Sequence, residues 1–137
     1  AIFGLTRGTK REHIIRAAQE SIAYQSADLV AAMEKDTGVA LKALKADGGA
    51  SRDGFLMQFQ ADILNKKVIR PAVHETTALG AASLAGLSVG VWKDRAEIAK
   101  LWQAEADYTP SMEEATRAEK LAKWHRAVER CLGWELP

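Results

Sequence analysis

Asp47-Gly48-Gly49-Ala50-Ser51 stands between two stretches of different character. Before it, residues 43–47 read as a short strand. After it, Phe55, Leu56, Phe59 and Ile63 fall on one face of a helix, with Ser51 or Asp53 as the N-cap. Glycines between a strand and a helix let backbone N–H groups approach an anion, and the helix N-terminus adds a partial positive charge. The spacing is neither G-x-x-x-x-G-K-[ST] nor G-x-G-x-x-G, so no P-loop and no dinucleotide fingerprint is present. On local pattern alone, a tight strand-to-helix turn and a phosphate or nucleotide site are balanced readings.

Upstream, apolar residues recur as Ile14, Ala18, Ile22, Leu29 and Met33, with Ile15 and Val30 widening the stripe. That period predicts a helix over 10–36, about 40 Å long at 1.5 Å per residue. Thr9 and Glu12 fit a T-x-x-E capping box, and Gly38 fits a C-terminal stop. Downstream, Lys67-Val68-Ile69-Arg70 reads as a second strand ended by Pro71. A small-residue helix follows over 76–89, capped from among Glu75, Thr76 and Thr77. Two further helices are predicted. One is capped by Asp94 with Glu97 and carries Ile98, Leu101 and Trp102; the other is capped by Ser111 with Glu114 and carries Ala118, Leu121, Val128 and Leu132. Alternation of strand and helix predicts an α/β fold with a parallel sheet. Two or three short strands are few for so many helices. No repeat and no long linker divides the chain, so 1–137 reads as one domain.

Composition narrows the function classes. Hydrophobic residues make up 47% of the 137 and charged residues 27%, which excludes collagen-like, low-complexity and strongly charged disordered chains. The net charge is +1, and Lys10-Arg11 and Lys66-Lys67 are only doublets, so the basic stripe of a nucleic-acid module is lacking. Cys131 is the sole cysteine, which bars an intramolecular disulfide and favours a reducing compartment. The longest weakly polar run, 78–92, is shorter than the roughly 20 residues of a membrane span, so no membrane partner is expected. The chain opens on Ala1-Ile2-Phe3-Gly4-Leu5 without an initiator Met, as a segment of a longer protein or a processed chain does.

Other patterns carry less. Gly86-Leu87-Ser88-Val89-Gly90 matches G-x-S-x-G, and Asp94 or Asp107 and His125 follow in hydrolase order. A nucleophile elbow needs a strand before its Ser, and here a helical run precedes it. The reading adopted is a helix C-terminus whose glycines allow close packing. Gly80, Ala81, Ala85 and Gly86 fit a close helix–sheet contact. His13, His74 and His125 lack partners at metal-ligand spacing, and His13 and His125 read as partly buried structural residues. Trp92, Trp102, Trp124 and Trp134 read as core or interface.

Several stretches together resemble the C-terminal, nucleotide-binding part of the glycerol kinases, a branch of the carbohydrate kinases with the actin and hexokinase type of ATPase fold. They are Gly4-Leu5-Thr6-Arg7-Gly8-Thr9, His13-Ile14 and Glu20-Ser21-Ile22-Ala23-Tyr24-Gln25. Asp47-Gly48-Gly49-Ala50-Ser51 with Leu56-Met57-Gln58-Phe59-Gln60-Ala61-Asp62 is the densest. Glu75 to Ala82, Leu84 to Gly90 and Trp124 to Arg130 continue the resemblance to the end of the chain.

The resemblance implies an incomplete ribonuclease-H-like, actin-type ATPase lobe, helix-rich with a few short strands. It implies ATP or ADP as ligand, with Gly48, Gly49 and Ala50 against the phosphates and ribose. The family's adenine-side Asn falls on Asp53, a departure that replaces a donor-and-acceptor amide by an acceptor-only carboxylate. Catalytic residues, the glycerol site and the Mg²⁺ ligands are implied to lie in the N-terminal lobe outside this chain. The chain alone is then expected to be inactive, cytoplasmic and prone to self-association through Ile2, Phe3, Leu5 and the strand near Leu44. The contrasting reading is a non-catalytic interaction module that keeps the kinase scaffold.

Overall fold

The computed structural model describes residues 1–135. Helix α1 (Arg11–Thr37) leads to strand β1 (Ala43–Lys45) and a 3₁₀ turn (Gly49–Arg52). Helix α2 (Gly54–Leu64) and strand β2 (Lys67–Pro71) follow, then α3 (Thr76–Ser88), α4 (Arg95–Ala99), β3 (Ala104–Tyr108) and α5 (Glu114–Glu129). The sheet has the order β1-β2-β3. β1 and β2 are parallel, with Leu44 opposite Val68, and α2 is the crossover between them. β3 runs antiparallel to β2, with an irregular register at Arg70/Pro71. This is the α/β class expected, helix-rich around a small sheet, but the sheet is mixed rather than parallel, because the third strand returns antiparallel to β2.

The core sits on α2. Leu56, Met57, Phe59, Ala61, Ile63 and Leu64 are buried, together with Ala23 of α1 and Val68 of β2. Such a helix is apolar on most sides because α1, the sheet and α5 all pack against it. Tyr24 meets Phe59 edge-on, with centroids 5.5 Å apart, and stacks on Trp124 of α5 at 5.2 Å. The Trp124 indole N–H donates to Asp28 Oδ2 at 2.7 Å, and His125 Nε2 lies 2.8 Å from Asp28 Oδ1, so one carboxylate of α1 fastens two neighbours on α5. Asp62 does the same at the other end. Its Oδ1 accepts from the backbone N–H groups of Ser111 (2.6 Å) and Met112 (3.2 Å), fixing the approach to α5.

Burial pushes the Tyr24 phenol up to about 12, helped by the charge and hydrogen bond of Glu20 and opposed by Arg16. The unfolded value is about 10. The neutral phenol is therefore favoured in the fold. Its contribution to stability is complete below pH 10 and is lost as pH rises from there through about 12. Denaturant midpoints read against pH should fall across that window, and Tyr24→Phe should flatten the fall.

Several sequence expectations meet a different outcome. Strand β3 was not expected: Ala104-Glu105-Ala106-Asp107-Tyr108 has no apolar run. Its backbone pairs with β2, and opposite charges meet across the ladder, with Lys67 Nζ 2.6 Å from Asp107 and Arg70 Nε 3.1 Å from Glu105. Helix α4 stops at Ala99, which leaves Leu101 and Trp102 beyond it. The Thr9–Glu12 box does not form. Lys10 is the N-cap of α1, His13 Nδ1 accepts its N–H, and Thr9 Oγ1 accepts the N–H of Thr6 in the preceding turn. The N-cap of α5 is Glu113, because Ser111 is turned to Asp62. His13 and His125 are exposed rather than partly buried. The stripe Ile14, Ile22, Leu29 and Met33 is exposed, and α1 packs through Ala23, Tyr24, Ala27 and Val30.

Ser88 closes α3, and its hydroxyl donates to the Ala85 carbonyl, so no strand delivers it to an elbow. The close-packing reading of this segment holds at Gly86. A Cβ there would lie 2.6 Å from Trp92 Cδ1 and Nε1. Gly86→Ala should cost about 1 kcal/mol, the low end of overpacking because Trp92 is only partly buried and its ring can shift, read from a chemical denaturation midpoint.

Candidate functional site

The glycine loop lies where β1 ends and α2 begins. Gly48 has φ 80 and ψ −178, a conformation open essentially to glycine alone. This turns the chain so that the Gly48 N–H donates to the His74 carbonyl at 3.0 Å. The 3₁₀ turn then folds back. The N–H and hydroxyl of Ser51 both donate to the Gly48 carbonyl, at 3.2 and 2.7 Å. Of the two N-cap candidates, Asp53 is the cap. Its Oδ1 accepts from the N–H groups of Phe55 (2.9 Å) and Leu56 (3.2 Å), while Oδ2 accepts from the Gln19 side-chain amide of α1. Asp47 accepts the hydroxyl of Thr76, the first residue of α3, whose N-cap Glu75 makes no side-chain cap bond.

What remains free defines the chemistry. The N–H groups of Gly49 and Ala50 have no hydrogen-bond partner among the described residues, and both residues are exposed. A Cβ on Gly49 would meet no heavy atom within 4 Å. Two unpaired donors thus stand on exposed residues one turn before α2, where the helix dipole adds positive potential. That arrangement suits a phosphate. The structure brings Gly48, Gly49, Ala50 and Asp53 into one loop, with Asp53 facing its own helix. Gly80 lines a cleft of about 560 Å³ beside Asp47 and Thr76, where Lys45 Nζ sits 3.9 Å above the Trp102 ring. Gln19, Arg70 and His74 also hold the loop; Gln19 and Arg70 were not singled out from sequence as site residues, and His74 was weighed only as a metal ligand. They lie far along the chain, and no local motif marks them.

Among the described residues, no group of three or more His, Cys, Asp or Glu is placed to hold a metal ion, and no helix is long and apolar enough to cross a membrane.

Residues 1–89 match the C-terminal domain of the FGGY family of carbohydrate kinases. A glycerol kinase of Brachyspira hyodysenteriae is 59% identical over 98% of this chain, and one of Dechloromonas aromatica is 60% identical over 98%. In each case the match spans 27% of the relative, so this chain is about a quarter of their length. The structure of Plasmodium falciparum glycerol kinase with ADP superposes with a TM-score of 0.85 at 38% identity, over 96% of this chain and 26% of that one. Ligand-bound xylulose kinase from Lactobacillus acidophilus gives a TM-score of 0.78 at 28% identity, over 96% and 27%.

Proposed function

The chain belongs to the FGGY family of carbohydrate kinases, and on that premise we propose that it is the ATP-binding C-terminal portion of a glycerol kinase. In the full-length protein the reaction is transfer of the γ-phosphoryl group of ATP to glycerol, giving ADP and glycerol 3-phosphate. The observation that carries this reading is the pair of unpaired N–H groups on exposed Gly49 and Ala50. Residues 1–137 then form one piece of the nucleotide-binding domain.

Phosphoryl transfer asks the protein for positioning and for stabilisation of charge on the transferred group. Gly48 supplies the turn, and Gly49 and Ala50 donate to a phosphate oxygen. Asp53 is a positioning residue. Its carboxylate is taken up by two backbone N–H groups and Gln19, so it holds the loop to α1 and α2. The Asn-to-Asp departure is thus accommodated as a helix cap and does not favour the reading of a scaffold without catalysis. The loop carboxylates already have local tasks, Asp53 as helix cap and tie to Gln19, Asp47 as acceptor of the Thr76 hydroxyl. We assign Mg²⁺, the glycerol site and the catalytic base to the N-terminal lobe outside this chain.

Surface chemistry supports that lobe as the partner. Ile2, Phe3, Leu5, Leu29 and Met33 are half or more exposed, and the outer edge of β1 is unpaired among the described residues. Such surfaces pack against further protein or against a second copy. An ATP substrate and a lone cysteine support a cytoplasmic location. The test is an ATP-coupled assay of the full-length protein against glycerol, a ketopentose and gluconate. Glycerol should give the highest kcat/KM; a preference for either of the others sinks the assignment.

A further inference from the structure

The loop is tied down at both ends by residues that meet on one carboxylate. At its first glycine, the Gly48 N–H donates to the His74 carbonyl at 3.0 Å. At its far end, the carbonyl of buried Ser51 accepts from Arg70 Nη1 at 3.1 Å. Arg70 and His74 come from β2 and the turn after it, and neither is free to move alone. Arg70 Nε donates to Glu105 Oε2 at 3.1 Å, and His74 Nε2 lies 3.2 Å from the same oxygen. Glu105 sits on β3, which pairs with β2. Both side chains it holds are largely buried, at 16% and 20% exposure.

We propose that Glu105, acting through Arg70 and His74, is a positioning residue that fixes the Gly48–Ser51 loop in the conformation that presents its free N–H groups to the nucleotide. The proposal rests on the nucleotide reading above. A planar guanidinium suits the task because it bonds the carboxylate through one edge and the loop carbonyl through another, which a lysine ammonium does with poorer geometry. With the tie cut, Ser51 keeps its bonds to Gly48, but the turn as a whole loses its anchor to the sheet. The donors are then no longer pre-organised, and ordering them is charged against nucleotide binding.

The experiment uses the full-length protein and the variants Glu105→Gln, Arg70→Met and Arg70→Lys, each checked for native circular dichroism. Two readouts are taken: hydrogen exchange of the hydrogen-bonded loop amides of Gly48, Ser51 and Asp53, and steady-state constants for ATP and glycerol. Glu105→Gln and Arg70→Met should speed loop exchange and raise the KM for ATP by about tenfold, with kcat and the glycerol KM within about twofold. Arg70→Lys should fall between these and the parent. Unchanged loop exchange overturns the proposal, as does a loosened loop with unchanged ATP affinity, or a parallel loss of ATP and glycerol affinity. Failure of the nucleotide reading is seen separately, as absence of ATP binding in the unmutated protein. If Arg70→Met does not fold, the milder Glu105→Gln decides.

Discussion

Incubated with ATP, Mg²⁺ and glycerol, the isolated 137-residue chain is expected to release no glycerol 3-phosphate above a protein-free control. Phosphoryl transfer is catalysed by positioning and by electrostatic stabilisation, and both need groups on two sides of the transferred phosphoryl. This chain offers one side. Its loop carries hydrogen-bond donors, but the carboxylates beside them are already engaged: Asp53 by Phe55, Leu56 and Gln19, and Asp47 by Thr76. Nucleotide affinity should also be weak, since the exposed loop covers a ligand from one face only. A thermal shift with millimolar ATP should then be small, because stabilisation grows only as the logarithm of ligand over Kd. The full-length protein assayed in parallel is the positive control. ATP-dependent product from the chain alone contradicts the division of labour between the lobes.

The parts of the fold that were legible are those in which apolar period and punctuation agree. α2 is apolar on its buried faces and opens at Asp53; β2 is a compact Val-Ile run ended by a proline; α3 lies where its small residues put it, and α5 follows its stripe as far as Val128, with Leu132 beyond its end and exposed. The face of α1 was misread for a physical reason. The helix carries a large-residue stripe, Ile14 to Met33, and a second side built from Ala23, Tyr24 and Ala27, which of the expected stripe only Val30 joins. Small side chains on that second side let α2 come close, so the less conspicuous side is the buried one. Periodicity finds a stripe but does not say which neighbour is present to cover it. β3 escaped because Ala104-Glu105-Ala106-Asp107-Tyr108 has no apolar run to mark it, and its pairing with β2, with Lys67 and Arg70 against its carboxylates, exists only in the folded chain. The glycine loop was legible as a loop with anion chemistry. Its supports were not, since Gln19, Arg70 and Glu105 come from three other elements and meet it only in the folded chain.

The adjacent glycines of the loop should respond in opposite ways, and the contrast tests the site directly. Gly49 lies in the 3₁₀ turn, and an added Cβ there meets nothing within 4 Å. Gly49→Leu should therefore leave the stability of the full-length protein within about 0.5 kcal/mol. The open space is, on the proposed reading, where the nucleotide phosphates sit. The leucine side chain fills it and shields the N–H groups of residues 49 and 50. The KM for ATP should rise by about 100-fold, which corresponds to roughly 2.7 kcal/mol of lost binding, with the glycerol KM unchanged. Gly48 is the reverse case. At φ 80 and ψ −178, alanine strains the backbone by about 1–3 kcal/mol, so Gly48→Ala should lower the thermal midpoint. A loss of ATP affinity in that variant would be ambiguous, because the loop itself is distorted. Gly49→Leu carries no such ambiguity. If it binds ATP within twofold of the parent, the phosphates do not lie over this loop, and the nucleotide must be sought elsewhere, beginning with the cleft beside Asp47 and Gly80.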